Sequence, residues 1–535
     1  MKTGKKAASS WLKILKIAGV TLSLALATLT PSISSASTVK LASTSCASVD
    51  TSNGWVAREN LKRGDSNWQD LVKNPKPGTV SGWFDQTSAV CGDTVGLHLS
   101  GNNRPVTIKI YRMGYYNGAG ARLVYSTTTG KVAPGSAPTI ANDPTHLTST
   151  NWPTTTTITL TSSFPTGIYM ARFDDGSKAG YAPLVVRSST STSGVLIVAG
   201  DLTWEAYNTW GGWSLYHGPD TSIYSPGRTV TFNRPYDRDG KSNFTIYDAG
   251  IVQTAESLGL NVSYTDDVAI SNNPASLLGH TAVIYNGHTE YWTTNMYNGA
   301  FAARDAGVNL VFLGANTAYW RSRLDNNSRN VTVWKGDPGD PYAANPAMVT
   351  NKWGQDPTTP NNSTLLGALY GGILSSPVPY TVQNANVWPI AGTGLKTGAK
   401  IAGVVGKEVE TTDMGEAPAV QSFLTSQVTP METGAIQGET VGMTYYTTPS
   451  KSGVINVGTM GWVCNITNSC PWVGTADSKT SSQVTAITKN ILIAAAAGPL
   501  GVAHPMVANI TARTTRIPIC VAACPGAPAL SPDKD

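Results

Sequence analysis

Three apolar runs, each closed by a glycine, stand in the middle of the chain: VLIVAG at residues 195–200, AVIYNG at 282–287 and NLVFLG at 309–314. Segments with the spacing of amphipathic helices separate them, near residues 245–258 and 294–306. Continuous apolar strands that alternate with helices are typical of a parallel sheet covered on both faces. We therefore predict a doubly wound α/β domain over residues 191–500. Its later pieces are predicted strands at 401–406, 439–447 and 453–459 and a closing helix at 482–497.

Residues 37–190 follow a different pattern. Short runs rich in β-branched residues, such as TVGLHL at 94–99 and VTIKIY at 106–111, alternate apolar with polar positions. Gly, Pro and Asn interrupt these runs about every ten residues, which is typical of a β-sandwich. This part of the chain is predicted to be an immunoglobulin-like β-sandwich. A Ser/Thr-rich connector at 188–193 joins it to the α/β domain.

The charge of the chain is concentrated at its N-terminus. The formal charge is +5, from 38 Lys and Arg against 33 Asp and Glu, and residues 1–36 hold five lysines and no acidic residue. The apolar stretch at 17–29 and the small residues Ser34, Ser35 and Ala36 complete the pattern of a cleaved signal peptide, with an uncleaved anchor as the alternative. The remainder is neutral, which disfavours a nucleic-acid or membrane partner. The protein is predicted to be secreted.

Six cysteines in an exported protein favour disulfides over metal thiolates. Cys464 and Cys470 flank a short loop, Cys520 and Cys524 close a turn in the tail, and Cys46 and Cys91 remain to pair with each other. Six cysteines allow fifteen connectivities, so this pairing is a prediction from spacing. Residues 501–535 are predicted to be a Pro/Ala-rich tail without a chemical role.

Polar residues directly after the strands of an open α/β sheet are the first candidates for a site, because ligands bind beyond the carboxyl ends of the strands. His288, Glu290 and Tyr291 follow the AVIYNG run, and His and Glu can exchange protons near neutral pH. A phenolate oxygen is a hard ligand for an Fe(III)-like ion. The alternative is a structural loop, in which His288 caps the next helix and the aromatic side chains pack in the core.

The stretch TWEAYNTWGGWSLY at 203–216 follows the first apolar run and is rich in aromatic residues. Such a loop could form a stacking platform for a sugar or another planar substrate. The residues predicted to bind substrate are Trp204, Tyr207, Asn208, Trp210 and Trp292. The alternative is an aromatic cluster that buries the domain interface.

Two acidic pairs are weaker candidates. Glu408 and Glu410 could bind a cation, although a solvated strand edge is the expected explanation. Asp266 and Asp267 follow a strand, where an Asp that caps the next turn is the ordinary explanation. P-loop, HExxH, GxSxG and dinucleotide fingerprints do not occur in the expected context.

Several motifs together resemble the domain related to the C-terminal region of the N,N-dimethylformamidase large (beta) subunit. The first of them resembles the β-sandwich that precedes this domain in secreted bacterial members. The motifs are YRMGYYNGAGARLV at 111–124, TWEAYNTWGGWSLY, NRPYD at 233–237, YTDDV, NGHTEYW, RDAGVNLVFLGANTAYWR at 304–321 and GTMGWVC. The resemblance covers about residues 54–500. It implies a β-sandwich followed by a glutamine-amidotransferase-like α/β domain.

The resemblance also implies hydrolysis of a small amide at an iron held by two tyrosines and a glutamate. Tyr291 matches the motif that carries one tyrosine ligand. The candidates for the second tyrosine are Tyr207, Tyr247 and Tyr264, and those for the glutamate are Glu408 and Glu290. A nucleophilic Cys is disfavoured, because the turn after NLVFLG reads Ala-Asn-Thr. A Lewis-acid ion would then polarise the carbonyl, with His288 or Glu290 moving protons and Asn316 orienting the substrate.

Two functions therefore remain open from the sequence. The first is an exported, metal-dependent hydrolase that cleaves an amide C–N bond, with Tyr291 as a ligand and His288, Glu290 and Asn316 as catalytic residues. The second is a carbohydrate-binding or cell-surface protein that uses the aromatic stretch at 203–216. The corresponding partners are a small-molecule amide or a glycan, and the sequence does not define the oligomeric state.

Overall fold

The computed structural model describes residue 46 and residues 53–69, 80–188, 194–220, 225–355, 360–412, 416, 418–431, 439–472 and 477–511. These residues lie in one compact unit of the chain, Ala42–Asp535. The predicted signal peptide, most of the connector at 188–193, and Cys520 and Cys524 fall outside the described residues.

The first part of the chain forms two main β-sheets. Their strands are β1 (Ser81–Phe84), β2 (Ser88–Val90), β3 (Thr94–Ser100), β4 (Arg104–Met113), β5 (Ala121–Val132), β6 (Thr139–Ile140), β7 (Thr148–Ser149), β8 (Thr154–Thr159), β9 (Gly167–Asp174) and β10 (Ala179–Arg187). The order is β1-β3-β8 in one sheet and β2-β10-β9-β4-β5 in the other, and β6 pairs with β7. The runs at 94–99 and 106–111 are strands, within two residues at most of their predicted limits.

Strand β9 is buried on both faces, which explains why its residues 167–171 are a continuous run without a charge. Tyr169 and Ala171 lie in the core of this first part, while Ile168 and Met170 lie in a second cluster shared with the α/β part. The five-stranded sheet therefore uses one face for its own core and the other for the contact with the rest of the molecule.

The second part of the chain is built on a larger sheet with a parallel half. Its strands are β11 (Val195–Ala199), β12 (Thr229–Thr231), β13 (Val262–Asp266), β14 (Ala282–Gly287), β15 (Tyr291–Thr293), β16 (Asn309–Gly314), β17 (Trp320–Asp325), β18 (Asn330–Thr332), β19 (Leu369–Ile373), β20 (Val378–Val382), β21 (Lys400–Val405), β22 (Glu408–Thr411), β23 (Gln421–Val428), β24 (Glu439–Thr447) and β25 (Gly453–Asn456). The main order is β13-β11-β14-β16-β25-β24-β23-β20-β21, with β22 between β19 and β24. Strands β13, β11, β14, β16 and β25 are parallel, and β24 begins the antiparallel half.

Helices cover both faces of this sheet. They are α1 (Trp55–Asn60), α2 (Asp201–Tyr207), α3 (Ser242–Tyr247), α4 (Ala249–Ser257), α5 (Asp267–Asn272), α6 (Thr294–Asp305), α7 (Ser363–Leu366), α8 (Gly461–Thr467), α9 (Ser478–Ala497) and α10 (Leu500–Ala503). Ile197 of β11 packs in the cluster of α4, α8 and α9, whereas its neighbour Val198 packs in the cluster of α6. The molecule is thus a mixed β and α/β protein with several sheets.

Two local features differ from the sequence prediction. The helix predicted at 245–258 is divided at Asp248, whose φ of −123° is not helical and whose carbonyl accepts from Ile251 N and Val252 N at 3.0 Å each. A small sheet in the order β12-β18-β17-β15 was also not predicted. Its strand β15 pairs in parallel with β17 and fixes the residues that follow His288 and Glu290.

Two disulfides join Cys46 to Cys91 and Cys464 to Cys470. Part of the predicted tail at 501–535 is packed rather than extended, because Gly501 N donates to the Lys451 carbonyl at 2.9 Å and Asn509 N to the Val420 carbonyl at 3.0 Å. None of the helices among the described residues combines the length and the hydropathy that a membrane span needs.

Candidate active site

Three segments meet at the carboxyl ends of β11, β14 and β16. Helix α2 follows β11, residues 288–290 follow β14, and the turn at 315–318 follows β16. Glu290 N donates to Thr203 Oγ1 of α2 at 2.9 Å, and Ala318 N donates to the Thr289 carbonyl at 2.9 Å. The structure thus brings together the strand-end segments that the sequence singled out.

Glu290 is the centre of this site, with 1% of its surface exposed. Tyr207 Oη donates to its Oε2 at 2.8 Å, and Tyr216 Oη donates to its Oε1. The two phenol rings stack with their centroids 4.6 Å apart. Burial raises the pKa of the Glu290 carboxyl, with opposition from His288 and support from Glu408. Two phenols thus hold one buried carboxylate between them.

His288 lies between two carboxylates. Its Nε2 is 3.0 Å from Glu408 Oε2 and 3.5 Å from Glu290 Oε2, although the angle to Glu408 is not that of a normal hydrogen bond. Burial by itself would lower the pKa of His288, but the two carboxylates outweigh burial and the pKa is raised. The rings of Tyr207 and Tyr247 lie 5.2 and 5.9 Å from the imidazole. The group is therefore placed to hold and pass a proton.

Tyr291 is fully buried in β15. Its ring meets that of Tyr216 edge to face at 6.4 Å. The Tyr291 hydroxyl makes no hydrogen bond of normal geometry. Burial, with a further effect of Glu290, raises the pKa of this phenol well above its usual value. A buried phenol without a hydrogen-bond partner is costly unless another group satisfies it.

Lys335 completes the site on its partly exposed side. Its ammonium lies 3.4 Å from the centroid of the Tyr216 ring and 5.3 Å from that of Trp320. It makes no hydrogen bond or ion pair with any residue that the structure describes. Burial lowers the pKa of Lys335 to about 7, against the opposing effect of Glu290. Its φ of +57° is in the left-handed region, which is uncommon for a residue with a side chain. Lys335 could not be predicted as a site residue, because it stands in a loop 45 positions after Glu290 and belongs to no motif.

Glu408 and Glu410 are buried at 7% and 0% exposure, so the expected solvated edge is wrong. Glu410 accepts from Thr317 N at 3.1 Å and from Asn456 Nδ2, and burial raises its pKa to about 7. It therefore supports the turn that contains Asn316. Asn316 is buried with a φ of +55°, and its Oδ1 has no hydrogen-bond partner.

The aromatic stretch divides into two groups. Tyr207 and Tyr216 reach Glu290, whereas the tryptophans pack toward the first part of the chain. Trp210 meets Trp152 edge to face at 5.7 Å, and Trp213 stacks on His146 at 3.8 Å.

Trp204 is 4% exposed, and it lines, together with Trp83, a cleft between the two parts. Asn208 donates to Glu205 and to the Pro235 carbonyl. Such contacts fit the alternative in which the aromatic stretch buries the interface between the two parts. Substrate binding by Trp204, Asn208 and Trp210 stays a prediction.

Trp292 corrects the sequence prediction most clearly. Its side chain is fully buried, its Nε1 donates to the Thr289 carbonyl at 2.8 Å, and its ring packs on Tyr285. It has no surface to offer a substrate.

Two further candidates also have structural contacts. Tyr264 lies outside the site, and its Oη donates to Glu256 Oε1 at a distance of 2.8 Å. Asp266 caps helix α5, because its Oδ1 accepts from Ala269 N at 3.0 Å.

The donors at this site suit a hard metal ion. No group of three or more His, Cys, Asp or Glu among the described residues could hold a metal by itself. Phenol oxygens change this, because Tyr207, Tyr216 and Glu290 together supply hard oxygen donors of the kind that Fe(III) prefers. The unsatisfied hydroxyl of Tyr291 adds a further oxygen nearby.

An α/β sheet that gathers carboxyl, imidazole and phenol groups at its strand ends has the parts of a hydrolase-type protein. The chain belongs to the family described as N,N-dimethylformamidase beta subunit-like, C-terminal, whose model matches residues 107–472. The resemblance drawn from the motifs is thereby confirmed. The match begins within β4, so it includes much of the β-sheet part as well as the site.

No curated protein matches the chain. A solved structure of a chimeric titin Z1Z2-Z1Z2 tandem that carries a GRGDS peptide from fibronectin is 16% identical over 21% of this chain and 50% of its own. Its TM-score of 0.12 is too low to support a conclusion about fold or function.

Proposed function

We propose that this protein is an exported hydrolase that cleaves the C–N bond of a small amide with the help of an iron ion. The observation that carries this proposal is the pair of phenols, Tyr207 and Tyr216, on the two oxygens of the buried Glu290 carboxylate. Family membership supports a hydrolase of the dimethylformamidase type. The amidase substrate and the metal are our inference.

The residues that would hold the ion are Glu290, Tyr207 and Tyr216. Each phenol hydroxyl now donates to the carboxylate, and loss of these two protons would leave two phenolate oxygens next to the carboxylate as negatively charged donors for the ion. Tyr291, whose hydroxyl has no partner, is the alternative phenol and the one that the sequence favoured. An iron(III) ion bound there would supply Lewis acidity to polarise an amide carbonyl.

The remaining groups of the site would handle protons and orientation. His288 can hold a proton between Glu408 and Glu290 and deliver it from Nε2 to the nitrogen of a leaving amine. Before that step, Glu408 Oε2 can accept a proton from the water that attacks the carbonyl carbon, and the C–N bond then breaks as the amine nitrogen takes the proton of His288. The Lys335 ammonium and the Asn316 side chain can orient the carbonyl group.

Export has independent support from the disulfides Cys46–Cys91 and Cys464–Cys470, because such bonds persist in oxidising compartments. We also propose that the two parts of the molecule are an immunoglobulin-like sandwich and a glutamine-amidotransferase-like domain. The carbohydrate-binding alternative has less support, because the Trp213 ring already stacks on His146 and the Trp210 ring packs edge to face with Trp152.

Iron binding can be tested by absorption spectroscopy on the mature protein loaded with iron(III). We expect a visible phenolate-to-iron band at about one iron per chain, and its loss or strong reduction in Tyr207→Phe and Tyr216→Phe. Tyr380→Phe is the matched control, since this buried tyrosine donates to the Val457 carbonyl elsewhere. The same spectrum in Tyr291→Phe decides between the two phenol assignments. Wild-type protein that stays colourless and iron-free after loading would refute the proposal.

Proton transfer can be tested with Glu408→Gln. The change keeps the shape of the side chain but removes the base next to His288, so we expect kcat for hydrolysis of a short formamide to fall about 10²–10⁴-fold. KM should change far less, because the substrate still meets the same surface. A thermal unfolding curve equal to that of the wild type controls for misfolding. Unchanged kcat would exclude Glu408 from the reaction.

A further inference from the structure

We propose that Arg234 is a positioning residue that sets both phenols against Glu290 by clamping the loop between them. Residues 208–215, here named the clamp loop, join Tyr207 to Tyr216 and make no hydrogen bond to Glu290 themselves. The inference rests on the proposed function, since it concerns how the same two phenols are aligned.

The guanidinium of Arg234 donates hydrogen bonds to three backbone carbonyls of the clamp loop, those of residues 208, 210 and 213. Its Nη2 donates to the Asn208 carbonyl at 2.8 Å, and its Nη1 donates to the Trp210 and Trp213 carbonyls at 3.1 and 2.8 Å. Its Nε donates to Glu205 Oε1 of α2 at 2.7 Å. One side chain therefore ties α2 to three carbonyls of the clamp loop.

Neighbouring residues close the same network. Asn208 Nδ2 donates to Glu205 Oε2 at 3.1 Å, and Asn208 Oδ1 accepts from Trp210 N at 3.1 Å and from Asp237 N at 2.9 Å. Thr209 N donates to Asp237 Oδ2 at 3.1 Å. The NRPYD motif at 233–237 therefore has a structural role, since its residues Arg234 and Asp237 form hydrogen bonds with the clamp loop.

Burial makes this arrangement costly to disrupt. The Arg234 and Glu205 side chains are both fully buried, so their charges are paired with each other and with carbonyls rather than with water. Loss of one partner would leave buried polar groups without hydrogen bonds, which is far costlier than loss of a surface pair. Since Tyr207 and Tyr216 flank the clamp loop, its movement would shift both hydroxyls relative to Glu290.

The first measurement uses metal-free, full-length protein and amide hydrogen exchange. In Arg234→Lys, which keeps the charge but loses the planar fork, we expect exchange at residues 208–216 to become about 10–100-fold faster. In Arg234→Ala, added guanidinium ion should slow that exchange again. Exchange at wild-type rates in both variants would overturn the proposal.

The second measurement uses the iron(III) band. Arg234→Lys should weaken or shift the band, whereas Arg112→Lys should leave it unchanged. Arg112 is a matched control, because it is equally buried and paired with a glutamate, and its other hydrogen bonds go to Thr166, Met113 and Tyr116 rather than to the clamp loop. An unaltered band in Arg234→Lys, or equal changes in both variants, would overturn the positioning role. If wild-type protein binds no iron, the proposed function fails, and the exchange experiment still decides whether Arg234 holds the clamp loop.

Discussion

Glycine at position 114 shows how closely single residues are fitted around the buried charges of this molecule. A Cβ at Gly114 would lie 2.4 Å from Glu256 Oε2, 2.8 Å from the Tyr116 ring and 2.9 Å from Arg112 Nη1. All three neighbours are buried and belong to one network, so none can move aside without breaking hydrogen bonds. The motif YRMGYYNGAGARLV thus contains both an arginine that crosses to the α/β part and the space that it needs.

Gly114→Ala is therefore expected to destabilise the protein by roughly 3 kcal/mol, at the upper end of the cost of overpacking. Urea unfolding followed by tryptophan fluorescence measures this change. Gly130→Ala is the control, because a Cβ at that position of β5 meets nothing within 4 Å and should change the free energy of unfolding by less than about 0.5 kcal/mol. Equal effects of the two substitutions would contradict the argument.

The residues of the site differ in how visible they are in the sequence. His288 and Glu290 could be predicted because they directly follow a strand, where ligands of α/β sheets bind. Tyr216 and Lys335 could not be assigned a role, since each reaches the site through a loop whose path depends on tertiary contacts. Trp292 was misassigned because an aromatic residue after a strand looks the same whether it faces solvent or the core.

At the scale of elements, α2 and β15 are joined by a single hydroxyl. Thr203 Oγ1 accepts from Glu290 N at 2.9 Å and from Tyr291 N at 3.3 Å. Helix α2 also carries Tyr207, so this contact sets the helix that supplies a phenol against the segment that supplies the carboxylate. The strands around it were predicted within one or two residues. The sheet of β12, β15, β17 and β18 was not, because its strands are short and lack a regular alternation.

Thr203→Val keeps the shape of the side chain but removes this acceptor. Two buried N–H groups would lose a partner, so we expect a loss of about 1–3 kcal/mol in the free energy of unfolding, together with a weaker iron(III) band. Thr254→Val is the control, because that hydroxyl donates to the Gly250 carbonyl of its own helix, where loss costs little. An unchanged band with normal stability in Thr203→Val would show that α2 is held by other contacts.

At the scale of the whole molecule, the sandwich part and the α/β part share one interior. Ile168 and Met170 of β9 lie in the same hydrophobic cluster as Ile197 of β11 and Ile251 of α4. The Arg112–Glu256 ion pair, at 2.6 Å and without exposure, crosses the same boundary. Two domains were predicted from a change of sequence pattern, but the contact between them was not. The apolar side chains of β9 look the same in the sequence whether they pack in the sandwich core or against the α/β part.

Because of this shared interior, we expect the two parts to unfold in one cooperative transition, with the Arg112–Glu256 pair contributing to both. Arg112→Met or Glu256→Leu alone leaves a buried charge unpaired and should lower the free energy of unfolding by about 3–5 kcal/mol. The double variant removes both charges, so its loss should be smaller than the summed single losses by about 0.5–3 kcal/mol. The partly exposed pair Arg172–Asp174 is the control, and its cycle should give no more than about 1 kcal/mol. Two separate transitions, with the α/β transition unmoved by Arg112→Met, would show instead that each part folds alone and that the buried pair is not shared.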